Sequence, residues 1–505
     1  MIFSAHREDR LWSPMTVTKR IKPAFELALI PRGSGTPSYK WLRDSIRSAI
    51  QSGSLKPGDH LPGSRELART SSLARGTVLL ALEDLKAEGY LSTIRGSGTY
   101  VSQILPERFL AGSTNLSLQI ESEQQALPRF SDYAKRLYAI SHFANPLTIA
   151  FRTNLPALDL FPTDIWTQTA SHRLSRVSSA QLLGCESRGY LPLRNLLSGY
   201  LQTARGVKCT PEQIIITSGI QESLDLATRI LVNPNDRVLM EDPGYQVAFA
   251  AFRSAGARVI PMKIDQNGAA PPSHAFSHSR LMYVTPGHQF PTGVTMPLTR
   301  RIEILDSARK AGTFIFEDDY DSEFRYVGTP IPAMQGIDRD GLVIFAGSFN
   351  KILFPSLRMG YIVVPSALVE AFVISKSIQS RHHSVVDQAI VCDFIENGHF
   401  SRHLRRMRKI YAERLQILIH EVKKYLSGAI ELSQIEAGLQ TVGWLTSRLS
   451  EEEIATMALQ KNVDVIPLSW YCQSTNLPPA LQIGFAAVDE KAIIKGVKVL
   501  ASILN

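Results

Sequence analysis

The chain is poor in cysteine. Its 505 residues hold four, Cys185, Cys209, Cys392 and Cys472, widely spaced and without a CxxC pair. That usage argues against a disulfide framework and a thiolate metal site, so no metal is expected, and it fits a reducing compartment. Long apolar runs are also missing, for none approaches the ~18 residues of a membrane-spanning helix. The first residues carry Arg7, Glu8, Asp9 and Arg10 in place of an apolar h-region, so no secretory signal is expected there. A cytoplasmic protein is the expectation. Acidic residues fall short of basic ones, 46 against 55, for a net charge of +9. That balance suits a nucleic-acid partner, and equally an ordinary solvated basic face.

The length exceeds what one core holds, and the texture divides the chain into four parts. Residues 1–35 read as an irregular tail. Residues 36–103 form a compact unit of three helices and a hairpin. Residues 104–150 are polar, with little periodicity, and read as a linker with room for a short helix. Residues 151–505 alternate apolar runs with helical stretches. Those runs, Ile214–Ile216, Val238–Met240, Leu281–Val284, Thr313–Phe316 and Leu342–Ala346, predict a parallel sheet covered on both faces. The last ~130 residues are richer in helical pattern and predict a smaller second lobe.

In the first unit, Leu42, Ile46, Ala49 and Ile50 share one helical face, and Gly53 is a plausible stop. A short helix follows around Arg65-Glu66-Leu67-Ala68, then a longer one carrying Val78, Leu82 and Leu85. Two strands joined by Arg95-Gly96-Ser97-Gly98 complete a winged helix-turn-helix layout. Such a module sets its second helix in the major groove, with the helix start reaching base edges. That start is Ala74-Arg75-Gly76-Thr77. Arg75 can bond a guanine edge in bidentate fashion. Arg65 and Thr77 can contact phosphates, and Arg95, next to Gly98, can reach the minor groove or the backbone. Residues 31–102 hold 10 Lys plus Arg and 6 Asp plus Glu, a net of +4.

The second unit places a different chemistry at its strand ends. Lys351 follows the run Leu342–Ala346, and Asp318 follows Thr313–Phe316. A lysine amine can form a Schiff base with pyridoxal phosphate (PLP), and an aspartate can hold the pyridine nitrogen protonated so that the ring acts as an electron sink. Asp319, next along the strand, should point the opposite way, and Tyr320 should return to the side of Asp318 and reach the ring's phenolic oxygen. Ser218, Gly219 and Ile220 lie between a strand and a helix start, which suits a phosphate. Ser348 and Arg358 can bind the same phosphate. Tyr245 can stack on the ring, and His288 sits where it can pack near the ring oxygen or serve as a structural histidine.

These motifs resemble known families. Leu55-Lys56-Pro57-Gly58-Asp59-His60-Leu61-Pro62, Arg65-Glu66-Leu67-Ala68 and Gly96-Ser97-Gly98-Thr99-Tyr100-Val101 look like the GntR-family winged helix. The ordered set from Ser218 to Arg358 resembles fold type I aminotransferases, with a large and a small lobe. Together they look like the MocR/GabR-type regulators. That resemblance implies Lys351 as the Schiff-base lysine, Asp318 and Tyr320 as ring contacts, Tyr245 as the stacking residue, and Ser218, Gly219, Ser348 and Arg358 around the phosphate. It further implies PLP as cofactor, operator DNA with repeated half-sites, a small-molecule effector and a head-to-tail homodimer.

Three departures fall where substrate would bind. Aminotransferases of this type carry an arginine in a C-terminal strand to pair with the substrate carboxylate; the matching position is Gln482. Amino-acid-sensing relatives can carry an arginine two residues after the stacking tyrosine, where this chain has Val247. A tyrosine that contacts the neighbour's phosphate is replaced by Gly184. In the DNA module, the serine usual before the recognition arginine is Ala74. A PLP-dependent transcriptional regulator is therefore expected, nucleoid-associated when bound to DNA. Its effector could be an amine, an amino acid with an unusual carboxylate partner, a sulfonate or PLP itself. The alternative is an active aminotransferase carrying a DNA-binding domain.

Overall fold

The computed structural model describes residues 30–31, 35–94, 97–103, 105, 130–138, 149–329 and 331–504. Arg95, most of the 1–35 tail and most of the 104–150 linker lie outside these. The chain divides into two compact units, Met1–Pro128 and Arg129–Asn505.

The first unit is built from α1 (Ser38–Gln51), β1 (His60–Leu61), α2 (Ser64–Ser71), α3 (Arg75–Ala87), β2 (Leu91–Ile94) and β3 (Gly98–Val101). Leu42, Ile46, Ala49 and Ile50 line the buried face of α1, and Gly53 follows its end in the left-handed region at φ 78°. Val78, Ala81, Leu82 and Leu85 of α3 close the same core, with Leu67, Leu91 and Val101. Where a two-stranded hairpin was expected, the sheet has three strands in the order β1-β3-β2. The addition is the two-residue β1, too short to give a period-2 signal. Gly98 is obligatory at the join: its φ is +121°, and a Cβ there would stand 2.3 Å from His60 Nε2.

The second unit holds an eight-stranded sheet of β4 (Ile214–Thr217), β5 (Arg237–Asp242), β6 (Arg258–Asp265), β7 (Gly268–Ala269), β8 (Ser279–Val284), β9 (Phe314–Asp319), β10 (Val343–Ser348) and β11 (Gly360–Val363), ordered β4-β11-β10-β9-β8-β5-β6-β7. Consecutive residues feed opposite cores. Val238, Ile344 and Ile215 pack on one face with Leu224 and Phe252, while Leu239, Val343 and Ile315 pack on the other with Ile304 and Ala308. Burial on both faces is why these strands read as unbroken apolar runs. The sheet is mixed, which corrects the parallel expectation: β11 runs antiparallel to both β10 and β4, and β7 antiparallel to β6. Only residues 349–359 separate β10 from β11, too few for the crossover a parallel neighbour needs.

The smaller lobe is an antiparallel sheet of β12 (Ile430–Leu432), β13 (Gln440–Leu445), β14 (Ile466–Pro467) and β15 (Ala480–Gly484), ordered β12-β13-β15-β14. Helices His399–Tyr425 and Glu490–Leu504 supply much of its core. Within the stretch read as a linker, a helix Asp132–Tyr138 is tied to this unit by Arg136 Nε, which donates to the Ser254 carbonyl at 2.8 Å. No described helix is long and apolar enough to cross a membrane.

Candidate functional site

The C-terminal ends of β4, β5, β8, β9 and β10 gather at one edge of the large sheet, the edge where open α/β sheets bind ligands. A cavity there is lined by Gly219, Ile220, Gln221, Tyr245, Tyr283, Phe290, Asp318, Tyr320, Ser348, Asn350, Lys351 and Arg358. Most of the residues read from sequence as a cofactor set thus meet around one space.

Lys351 enters from the β10–β11 connection. Its Nζ donates to Asn154 Oδ1 at 2.7 Å and lies 3.9 Å from the centre of the Tyr320 ring. Burial pushes its pKa below the ordinary lysine value, against the pull of Asp321 and Asp318. Such a shift favours the neutral, nucleophilic amine. Asp318 is the next-to-last residue of β9, and it is buried. Its Oδ2 accepts from the Tyr283 hydroxyl at 2.6 Å, and its Oδ1 has no partner among the described residues. Burial pushes this carboxyl up to about 7, with the Tyr283 bond and Lys351 working the other way. Asp319 does point away, as strand alternation predicts, and pairs with Arg205 Nε at 2.6 Å.

Tyr320 returns to the cavity, with its hydroxyl 3.0 Å from His288 Nδ1. His288 is not in the cavity wall. It stands behind Tyr320 and against Asp321, 3.0 Å away. Tyr245 is half-buried and meets Phe290 edge-on, with ring centroids 5.7 Å apart.

On the opposite side, Gly219 adopts φ +129° and precedes the helix Ile220–Leu231. The free backbone N–H groups of the helix start face an anion favourably. Ser218 stands just outside the wall, its N–H donating to Glu222 Oε2 at 2.5 Å. Glu222 is held in turn by Lys376 Nζ at 2.7 Å. Burial alone would raise the Glu222 carboxyl, but the bond to Lys376 keeps it below its ordinary value. Ser348 is buried at the end of β10. Arg358 is exposed, in the left-handed region at φ 48°, and makes no hydrogen bond or ion pair among the described residues.

The effector-side candidates lie outside the wall. Gln482 is fully buried in β15, its Oε1 accepting from the Tyr471 hydroxyl at 2.8 Å and its Nε2 unpartnered among the described residues. Val247 is half-buried in the helix Gln246–Ser254. Tyr283, Asn154, Gln221, Phe290 and Asn350 were missed. Asn154 lies 197 residues from Lys351, and no local pattern reports such a contact. Tyr283 carried a signal, since a tyrosine in an apolar strand needs a partner for its hydroxyl.

On the first unit, Arg65 and Arg75 are exposed, Gly76 is exposed and Thr77 is half-buried. Arg75 Nε is 3.4 Å from Ser64 Oγ, linking the starts of α3 and α2. The N-cap of α3 is Ala74, which supplies no side-chain bond. Arg47 of α1, by contrast, is occupied by Glu88 at 2.5 Å.

The second unit's cavity suits PLP by the chemistry of its donor set. A buried carboxylate oxygen without a partner among the described residues can accept from a cationic N–H, a half-buried amine stands across the cavity, and a guanidinium with no ion pair among the described residues lies beside a helix start. Comparison with known proteins agrees. Residues 38–101 match the family model "Bacterial regulatory proteins, gntR family" and residues 160–500 match "Aminotransferase class I and II". The chain is 35% identical to the probable rhizopine catabolism regulatory protein MocR of Rhizobium meliloti, over 94% of this chain and 95% of that one. It is 30% identical to the HTH-type transcriptional regulator TauR of Rhodobacter capsulatus, over 79% and 82% respectively. Among solved structures it resembles LysN, an alpha-aminoadipate aminotransferase of Thermus thermophilus complexed with N-(5'-phosphopyridoxyl)-L-leucine. The TM-score is 0.66 at 26% identity, covering 74% of this chain and 97% of that one. The chain therefore belongs to the MocR/GabR-type transcriptional regulators, in which a GntR winged helix that binds DNA is fused to a fold type I aminotransferase domain that takes PLP.

Proposed function

We propose that the PLP domain of this regulator acts as a sensor, not as a transaminase. The cofactor supplies an aldehyde that captures amines and a pyridinium ring that withdraws electrons. Lys351 offers the amine that attaches it, and the free Oδ1 of Asp318 receives the ring N–H. Tyr320 bonds the phenolic oxygen and Tyr245 stacks on the ring. Gly219, Ile220, Ser348 and Arg358 hold the phosphate, with Ser218 behind them. His288 acts through Tyr320.

The observation that carries the sensor reading is Gln482. A substrate carboxylate in a buried site needs a cationic partner, or it loses hydration without return. Gln482 offers an amide. Arg152, whose charge is felt by Tyr471, is already ion-paired to Asp464. The effector is then an amine, an amino acid or a sulfonate whose anionic group finds a cationic partner elsewhere, or PLP itself, with Val247 and Gln482 at the edge of its pocket.

In this reading the chain works in the cytoplasm, associated with the nucleoid when bound to DNA. Residues 36–103 read DNA through Arg65, Arg75, Gly76, Thr77, Arg95 and Gly98, residues 104–150 connect, and residues 151–505 sense. A head-to-tail homodimer would set two winged helices on repeated half-sites. Leu182, Leu183 and Ile378, 73%, 90% and 83% exposed, supply apolar surface for such a dimer. The test is rapid mixing of the holoprotein with a panel of amines and amino acids, following its visible absorbance and its operator binding together. A ligand that shifts the spectrum without turnover and changes operator affinity supports the sensor. Conversion of the cofactor by a common amino acid at about 1 s⁻¹ or faster would favour the aminotransferase alternative.

A further inference from the structure

Asp321, His288 and Tyr320 form a buried chain that ends beneath the Lys351 amine. Nδ1 of His288 lies 3.0 and 3.1 Å from the two carboxylate oxygens of Asp321 and 3.0 Å from the Tyr320 hydroxyl. All three side chains are buried. Gly438 closes over them, at φ +93°, where a Cβ would stand 2.1 Å from His288 Cε1 and 2.8 Å from Asp321 Oδ2. The small lobe thus contributes a bare backbone so that this pair can fit.

The two contacts on one nitrogen fix a direction. A carboxylate accepts hydrogen bonds and donates none, so the nitrogen facing Asp321 carries the ring hydrogen. A protonated Nδ1 cannot accept the Tyr320 hydrogen. The tyrosine oxygen takes the acceptor role toward the histidine, and its own hydrogen turns away, toward the cavity. With a neutral partner in place of Asp321, the imidazole is free to adopt the other tautomer and draw that hydrogen back. We propose that Asp321 and His288 are positioning residues that point the Tyr320 hydroxyl at the cofactor's phenolic oxygen, and so set the pH at which the Lys351–cofactor linkage gives up its proton.

This rests on the assignment of Tyr320 to that oxygen made above. A hydrogen bond to the oxygen disperses its negative charge and weakens its hold on the linkage proton. The groups around Tyr320 are Asp318 from β9, Asp321 after it, His288 from the β8 loop and Lys351 from the β10–β11 connection, and the charges of Glu241 from β5 and of Asp319, which points away, also reach it. Burial, then these carboxylates, hold the phenol well above its ordinary value, so it stays a donor.

The test is a pH titration of the visible absorbance of the PLP-loaded protein. Asp321→Asn and His288→Leu are expected to raise the midpoint by about one pH unit, the scale of one hydrogen bond to a charged group. His288→Asn, whose amide N–H can stand where Nδ1–H stands, should keep most of the wild-type value. Tyr320→Phe should raise the midpoint by itself, and Asp321→Asn should add nothing on that background. An Asp321→Asn shift of equal size with and without the Tyr320 hydroxyl would overturn the proposal, as would no shift in a folded, fully loaded variant. If Tyr320→Phe alone leaves the midpoint in place, the assignment of Tyr320 to the phenolic oxygen is what fails.

Discussion

Tyr283 donates its hydroxyl hydrogen to Oδ2 of Asp318 at 2.6 Å and leaves Oδ1 of the same carboxylate buried with no partner among the described residues. One oxygen is fixed by the protein, and in the function proposed above the other is the one that meets the cofactor. The fixed bond orients the carboxylate before the cofactor arrives, so little side-chain ordering remains to be done on binding.

That arrangement has a pH signature. The Asp318 carboxyl is raised from 3.8 to about 7 by burial. The folded, cofactor-free protein therefore holds a proton that the unfolded chain gives up. The Asp318 contribution to stability falls as pH rises from about 4 to about 7 and is flat above, by an amount on the order of 4 kcal/mol. Asp318→Asn removes this dependence. Cofactor-free Asp318→Asn should be more stable than cofactor-free wild type at pH 8 and similar near pH 4, as denaturant unfolding at the two pH values would measure. The same variant should bind PLP at least tenfold more weakly.

Lys351→Ala is expected to remove the visible absorbance while circular dichroism stays unchanged. Borohydride treatment followed by peptide mapping locates the attachment. A reducible PLP adduct surviving in this variant would place the attachment on another lysine.

Ala74 leaves the first turn of the recognition helix without a side-chain acceptor. Ala74→Ser should stabilise the winged-helix unit by about 1 kcal/mol. Thermal melting of the full chain, with the first unit's transition followed through Trp41, would measure the gain. An unchanged or lowered transition would mean that the serine hydroxyl does not reach the N–H groups of that turn.

Arg75→Ala should weaken operator binding by about 1–3 kcal/mol and relax the preference at one base pair of each half-site. Arg65→Ala should weaken binding evenly across sequences and flatten the salt dependence by about one unit of slope. Titrations against a set of single-base operator variants at two salt concentrations separate the two.

Much of the cavity wall was legible because its members follow apolar runs, and a strand end announces itself where such a run stops. Asp318, Ser348 and Lys351 came from that rule, and strand alternation assigned Asp319 to the other side. What remained hidden depends on which strands are neighbours. Tyr283 meets Asp318 because β8 lies beside β9, and Asn154 meets Lys351 through a segment laid against the small lobe. His288 was legible as a residue but not as Asp321's partner, since the two are 33 positions apart on different loops. β11 escaped because its four residues begin with glycine and are too few for alternation to register.

Lys351 and Arg358 share one short connection, and with Gly219, Asp318 and Ser348 they belong to a single sheet. Asn154 instead accompanies the small lobe, its N–H bonded to Gln440 at 2.9 Å and its neighbour Phe151 bridged to Gly484. Lys351 of the large lobe therefore meets, through Asn154, a segment held by the other lobe. The bond between Lys351 and Asn154 is one of several that cross between the lobes, alongside those from Ser474 and Thr475 to Asp242.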